Sequence, residues 1–183
     1  MKTVFVFLAE GFEEIEAVTT IDLLRRAGLA VQTIAVGPSL EVAGAHHLPI
    51  IADRHISNAE PETADAFVLP GGMPGMSNLA ASTELLEMLQ RAYAEGKLLC
   101  AICAAPSIFG RLGFLEGRPA TCYPGFESEL GGYVPTEDTV VVTPGIITGR
   151  GPGYTTDFAL AIATALVGAE ASEAVRRGIY ALD

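Results

Sequence analysis

The chain has 183 residues, 50% of them hydrophobic and 18% charged, which suits a compact unit that buries its core without disulfides or metal. Its net charge of −11 argues against nucleic acid and anionic membranes as partners, since Lys and Arg must supply most of the affinity for phosphate. No repeat, linker or low-complexity tract interrupts it, so one domain over residues 1–183 is expected.

Strand and helix patterns alternate along the chain, the signature of a mostly parallel sheet with helices on both faces. Residues 3–8 read as the first strand. Lys2 and the apolar run behind it resemble the start of a signal peptide, but Glu10 ends the run and three more acids follow by Glu16. Glu13 to Ala27 reads as the first helix, with acids in its opening turn and Arg25 and Arg26 in its last. Ile15, Val18 and Leu24 mark its expected buried stripe. Residues 30–36 form the second strand, and 41–43 with 48–51 a side hairpin around Gly44 that carries His46 and His47.

Residues 66–69 are a further strand running into the loop Pro70-Gly71-Gly72-Met73-Pro74-Gly75. A helix capped by Ser82 covers Glu84 to Glu95. The apolar run 98–102 enters a turn at Cys103, and Pro106 opens a short helix. Residues 120–124 read as a short strand ending in a loop, and 139–143 with 146–148 as a hairpin about Pro144-Gly145. A helix over 155–167, apolar nearly all round, should be buried. It is far too short to span a bilayer. An amphipathic helix over 171–180 closes the chain. A cytoplasmic protein is expected.

Sites in open α/β sheets gather beyond the carboxyl ends of the strands. Cys103 stands there with small residues around it, the packing logic of a nucleophile elbow. The helix that follows would favour a thiolate and lower the thiol pKa. Cys100 completes a C-x-x-C but lies inside the strand, which sets a thioredoxin reading aside. A zinc site lacks further ligands of suitable spacing, so no metal is expected. Gly71-Gly72 could supply one half of an oxyanion hole, with the Ala104 N–H as the other half. Neither glycine cluster completes G-x-G-x-x-G and no P-loop lysine is present, so no nucleotide cofactor is expected. Glu16 falls at the margin of the core, where it is either a surface acid or a partly desolvated proton carrier. Glu10, Glu13 and Glu14 read as a solvated cluster. His46, His47 and His55 lie in or beside the hairpin, away from the elbow, unless a partner subunit brings one in.

Four blocks together carry a family resemblance: Ala-Glu-Gly-Phe-Glu-Glu-Ile-Glu (9–16), Leu-Pro-Gly-Gly (69–72), Ala-Ile-Cys-Ala-Ala-Pro (101–106), and Arg-Gly-Pro-Gly followed by Asp-Phe-Ala-Leu-Ala-Ile (150–162). They resemble the ThiJ/PfpI superfamily, nearest its DJ-one branch of Parkinson-disease-associated deglycase relatives. The resemblance implies a flavodoxin-like three-layer α/β sandwich with a mostly parallel sheet, related to class I glutamine amidotransferases, and a homodimer. By position it implies that Cys103 is the oxidation-prone cysteine, Glu16 the acid holding its proton against that sulfur, and Gly72 and Ala104 the backbone donors. Arg25, Arg26 and Arg150 fall where the family places arginines near the site or the dimer contact. Tyr123 stands where the family often has a histidine, and Ala104 replaces the histidine of PfpI-type proteases, which disfavours proteolysis. The implied activity is conversion of small 2-oxoaldehydes without glutathione, or deglycation. A peroxide sensor or redox-regulated chaperone is the alternative.

Overall fold

The computed structural model describes residues 1–181. In chain order, β1 (Thr3–Leu8), α1 (Glu14–Arg26) and β2 (Ala30–Ala35) lead to the small strands β3 (Glu41–Ala43), β4 (Pro49–Ile51) and β5 (Arg54–His55). There follow β6 (Ala66–Leu69), α2 (Gly75–Ala81), α3 (Thr83–Ala94), β7 (Leu98–Ile102) and α4 (Pro106–Arg111). The remainder is β8 (Pro119–Ala120), β9 (Val134–Pro135), β10 (Val140–Thr143), β11 (Ile146–Gly149), α5 (Thr155–Val167) and α6 (Ala169–Gly178).

Seven strands form the main sheet in the order β10-β11-β7-β6-β1-β2-β5. Every pairing in it is parallel except the β10–β11 hairpin at one edge. The central strands β1, β6 and β7 are apolar along nearly their whole length because both faces are covered. On one face α2, α3 and α4 pack Met76, Leu79, Leu85, Leu89 and Phe109 against Phe5, Phe7 and Phe67. On the other, α1 and α5 bring Ala17, Ile21, Leu24, Phe158 and Ile162 onto Val4, Val6 and Val68.

Several local expectations give way to the structure. The buried stripe of α1 is Ala17, Ile21 and Leu24, whereas Ile15 and Val18 are 54% and 50% exposed. Glu14 is buried rather than solvated. Helix α2 runs over residues 75–81, most of which the sequence leaves unassigned, because Met76 and Leu79 reach the core despite poor helix formers beside them. Of residues 120–124 only Ala120 pairs as a strand, in a two-stranded β8–β9 patch.

Candidate active site

Strand β7 lies between β6 and β11 and ends at Ile102. The next residue, Cys103, turns the chain with φ 65°, left-handed backbone that costs an L-residue about 1–2 kcal/mol. Two hydrogen bonds hold it there: Cys103 N–H donates to the Gly149 carbonyl at 2.9 Å, and Tyr123 N–H donates to the Cys103 carbonyl at 2.8 Å. Ala104 and Ala105 are packed into the core, so the tight turn leaves room for nothing larger. The side chain of Cys103 keeps only a small opening to solvent, at 9% exposure.

Three groups converge on the sulfur. The Ala104 and Gly72 N–H groups hydrogen-bond it. The third is Glu16, wholly buried in the first turn of α1 and hydrogen-bonded to Cys103 through its side chain. Gly71 N–H donates to Glu16 Oε2 at 2.7 Å, while Oε1 has no partner among the described residues. The Gly71-Gly72 pair is what lets these groups meet. A Cβ on Gly71 would sit 2.7 Å from the Cys103 Cβ and 3.0 Å from Glu16 Oε2. Gly72 takes φ +90°, and a Cβ there would overlap the Glu13 amide.

Burial pushes the Glu16 carboxyl up to about 7, with Glu13 adding to the rise and the Gly71 and Cys103 hydrogen bonds opposing it. Burial and the neighbouring Glu16 carboxylate push the Cys103 thiol up to about 12, against the pull of the Ala104 and Gly72 N–H groups. The lowered thiol pKa expected from the following helix is therefore overturned while Glu16 is ionised. The carboxyl therefore ionises before the thiol does.

The other candidate residues are distributed around this centre. Tyr123 is 46% exposed, and its ring packs against Gly151. Arg150 turns its guanidinium to Thr121 Oγ1 and the Thr136 carbonyl, each at 3.4 Å, and lines a cavity of about 290 Å³ with Cys122 and Tyr133. Arg25 bonds the Val31 carbonyl at 3.1 Å, and Arg26 pairs with Asp22 at 2.8 Å. Both lie two turns or more beyond Glu16, about 13 Å along the helix, and neither joins the sulfur. His46 is held by Glu14, Nδ1 to Oε2 at 2.9 Å, and His47 sits in the hairpin loop. Glu13, Glu14 and His46 form a cluster with metal-ligand spacing, but Glu14 is already engaged by hairpin donors. Two anchoring roles escaped the sequence reading, the Gly71 N–H as the donor to Glu16 and the Gly149 carbonyl as the acceptor from Cys103. Backbone groups leave no residue-type signal beyond the glycines themselves.

Residues 2–165 match the model of the DJ-1/PfpI family. The Arabidopsis thaliana protein DJ-1 homolog B is 40% identical over 168 residues, which cover 91% of this chain and 38% of the relative. The chain thus spans well under half the length of that plant protein. A glutathione-independent glyoxalase of Caenorhabditis elegans, DJR-1.2, is 36% identical over 88% of this chain and 86% of its own. The structure of oxidized Toxoplasma gondii DJ-1 superposes with a TM-score of 0.94 at 36% identity, covering 98% of each chain. Its likeness confirms the flavodoxin-like sandwich that the sequence implies. With sequence and fold agreeing over this extent, the chain belongs to the DJ-1/PfpI family.

Proposed function

We propose that this chain is a cytoplasmic, glutathione-independent enzyme for small 2-oxoaldehydes such as methylglyoxal, with Cys103 as nucleophile and Glu16 as proton carrier. The observation that carries the reading is a wholly buried carboxyl, raised to about 7, set against a sulfur that two backbone N–H groups hold. The nematode relative named as a glyoxalase supports the same chemistry.

In the reactive arrangement the shared proton sits on Glu16, which removes the like charge beside the sulfur and leaves a thiolate. That thiolate adds to the aldehyde carbon, and the carbonyl electron pair moves to oxygen, where the Gly72 and Ala104 N–H groups stabilise it. Glu16 gives its proton to this oxygen, then as carboxylate takes the proton from the same carbon and returns it to the neighbouring one, while the hydroxyl proton passes from the first oxygen to the second and the first carbon becomes the thioester carbonyl. One carbon is oxidised as the other is reduced, so no external oxidant is consumed. The resulting thioester is cleaved by water, releasing lactate and the Cys103 thiol. Tyr123, at the mouth, hydrogen-bonds the second carbonyl of the substrate.

Cys103→Ala and Glu16→Gln should each lower lactate formation from methylglyoxal by about a thousandfold. Near-parent turnover in either variant refutes the mechanism.

A second reading, a peroxide sensor or redox-regulated chaperone, draws on the unpartnered Glu16 Oε1 and on the oxidized form of the Toxoplasma relative. Neutral Glu16 and the two N–H groups would hold the oxygens of a sulfinate at Cys103. Mild peroxide adds two oxygens at Cys103 under both readings. Only the sensor requires that this change partner binding or chaperone activity.

We infer further that two copies pair through the outer face of α1 and the β3–β4 hairpin. Ile15, Val18, Leu48 and Ile51 leave apolar surface exposed there, continuous with a groove lined by Ile21 and Ile50.

A further inference from the structure

Helix α1 begins without a side-chain cap, since Glu13 at its N-terminal boundary accepts no capping hydrogen bond. Its first turn is instead held by two carboxylates that point in different directions, as residues two apart on a helix must. Glu16 turns inward to the Gly71 N–H and the sulfur. Glu14 turns to the hairpin: Oε1 accepts from His46 N–H at 2.7 Å and from Leu48 N–H at 3.4 Å, and Oε2 meets His46 Nδ1 at 2.9 Å. Glu14 is 7% exposed, so these donors replace most of its hydration. Gly44 makes the space, because a Cβ there would overlap the Glu14 carboxylate.

The same contact continues into the segment that carries the Gly72 N–H. Gly11 N–H donates to the Ala43 carbonyl and Ala45 N–H to the Phe12 carbonyl, each at 2.8 Å. Glu13 N–H then donates to the Gly71 carbonyl at 2.9 Å. Hairpin, helix start and Gly71-Gly72 loop therefore form one hydrogen-bonded unit with Glu14 at its buried joint.

We propose that Glu14 is a positioning residue for the Cys103–Glu16 pair: by fastening the first turn of α1 to the hairpin over Gly44, it fixes where the Glu16 carboxyl stands relative to the sulfur. The turnover part of the test rests on the function proposed above, but alkylation of Cys103 does not. Turnover of methylglyoxal and the pH dependence of Cys103 alkylation by iodoacetamide, read by mass spectrometry, are measured in the full chain. The variants are Glu14→Ala, Glu14→Gln, Gly44→Ala and the Glu14→Ala/Gly44→Ala double.

Glu14→Ala and Gly44→Ala should each lower kcat about tenfold with KM within about twofold, because a small displacement of a catalytic group costs rate more than binding. Each should also move the alkylation midpoint downward, since a displaced Glu16 carboxylate no longer raises the thiol beside it. Glu13 and His46, the other titratable groups at this joint, are unchanged in all four variants. Glu14→Gln keeps an acceptor for the His46 and Leu48 amides and should restore most of the rate, which separates positioning from loss of fold. The double variant should be no worse than the poorer single one. A parent-like alkylation profile in Glu14→Ala, a Glu14→Gln as impaired as Glu14→Ala, or additive losses in the double overturns the proposal. A parent protein inert toward methylglyoxal would sink the enzymatic reading, while the alkylation profiles still decide the role of Glu14.

Discussion

Glu16 works against the fold that holds it. Its folded pKa, about 7, lies above the ordinary 4.5, so the folded state binds the proton more tightly than the unfolded chain. The sign follows: its contribution is fully present below about pH 4.5 and is lost as pH rises through 7. The shift corresponds to roughly 3 kcal/mol of destabilisation at alkaline pH, a fraction of total stability large enough to measure. Glu16→Gln should therefore be more stable than the parent at pH 8 by urea unfolding, and about equal to it at pH 4, even as it loses activity. A variant no more stable at pH 8 would mean that the carboxyl is hydrated. The choice between surface acid and buried proton carrier was open in the sequence because periodicity places a side chain on a face but not at a depth. Glu14 shows the same limit more sharply. It reads as one of several solvated acids, yet the hairpin that buries it lies some thirty residues away in the chain.

Among the elements, those with local punctuation were legible. Ser82 caps α3 by accepting from Leu85 N–H at 3.2 Å, Pro106 opens α4, and Pro144-Gly145 joins β10 to β11. Elements that exist only through tertiary pairing were not. Strand β5 has two residues and stands because β2 offers an edge, and α2 is held by Met76 and Leu79 rather than by propensity. The Gly71-Gly72 loop is the element on which the site turns. Gly71→Ala should cost about 1–3 kcal/mol through overpacking and should speed Cys103 alkylation, because the new methyl separates the sulfur from the carboxylate that raises its pKa. Urea unfolding and the alkylation rate check both, and unchanged alkylation would show that the close approach at Gly71 is dispensable.

For the molecule as a whole, the misread stripe of α1 carries information. Ile15 and Val18 are apolar at helical spacing, so the sequence assigns them to the core, whereas they face outward beside Leu48 and Ile51. Hydropathy reports burial in the assembled state, and a face that a second copy covers reads like interior. Val18→Glu and Ile51→Glu should convert a dimer to a monomer in sedimentation velocity at micromolar concentration. A parent that sediments as a monomer removes the pairing. With a net charge of −11, self-association should also strengthen as salt rises, since screening relieves repulsion between two acidic copies.

The three thiols are kept apart by the sheet itself. Cys122 packs on one of its faces and Cys100 and Cys103 belong to the other, while Cys100 lies back along β7 by about 10 Å, too far for a bridge. A sulfenic acid formed at Cys103 thus has no resolving cysteine in its own chain. A thiol arriving from solution must reach it through a narrow opening, and each encounter that fails leaves the sulfur open to a second oxidant molecule and a step that glutathione does not reverse.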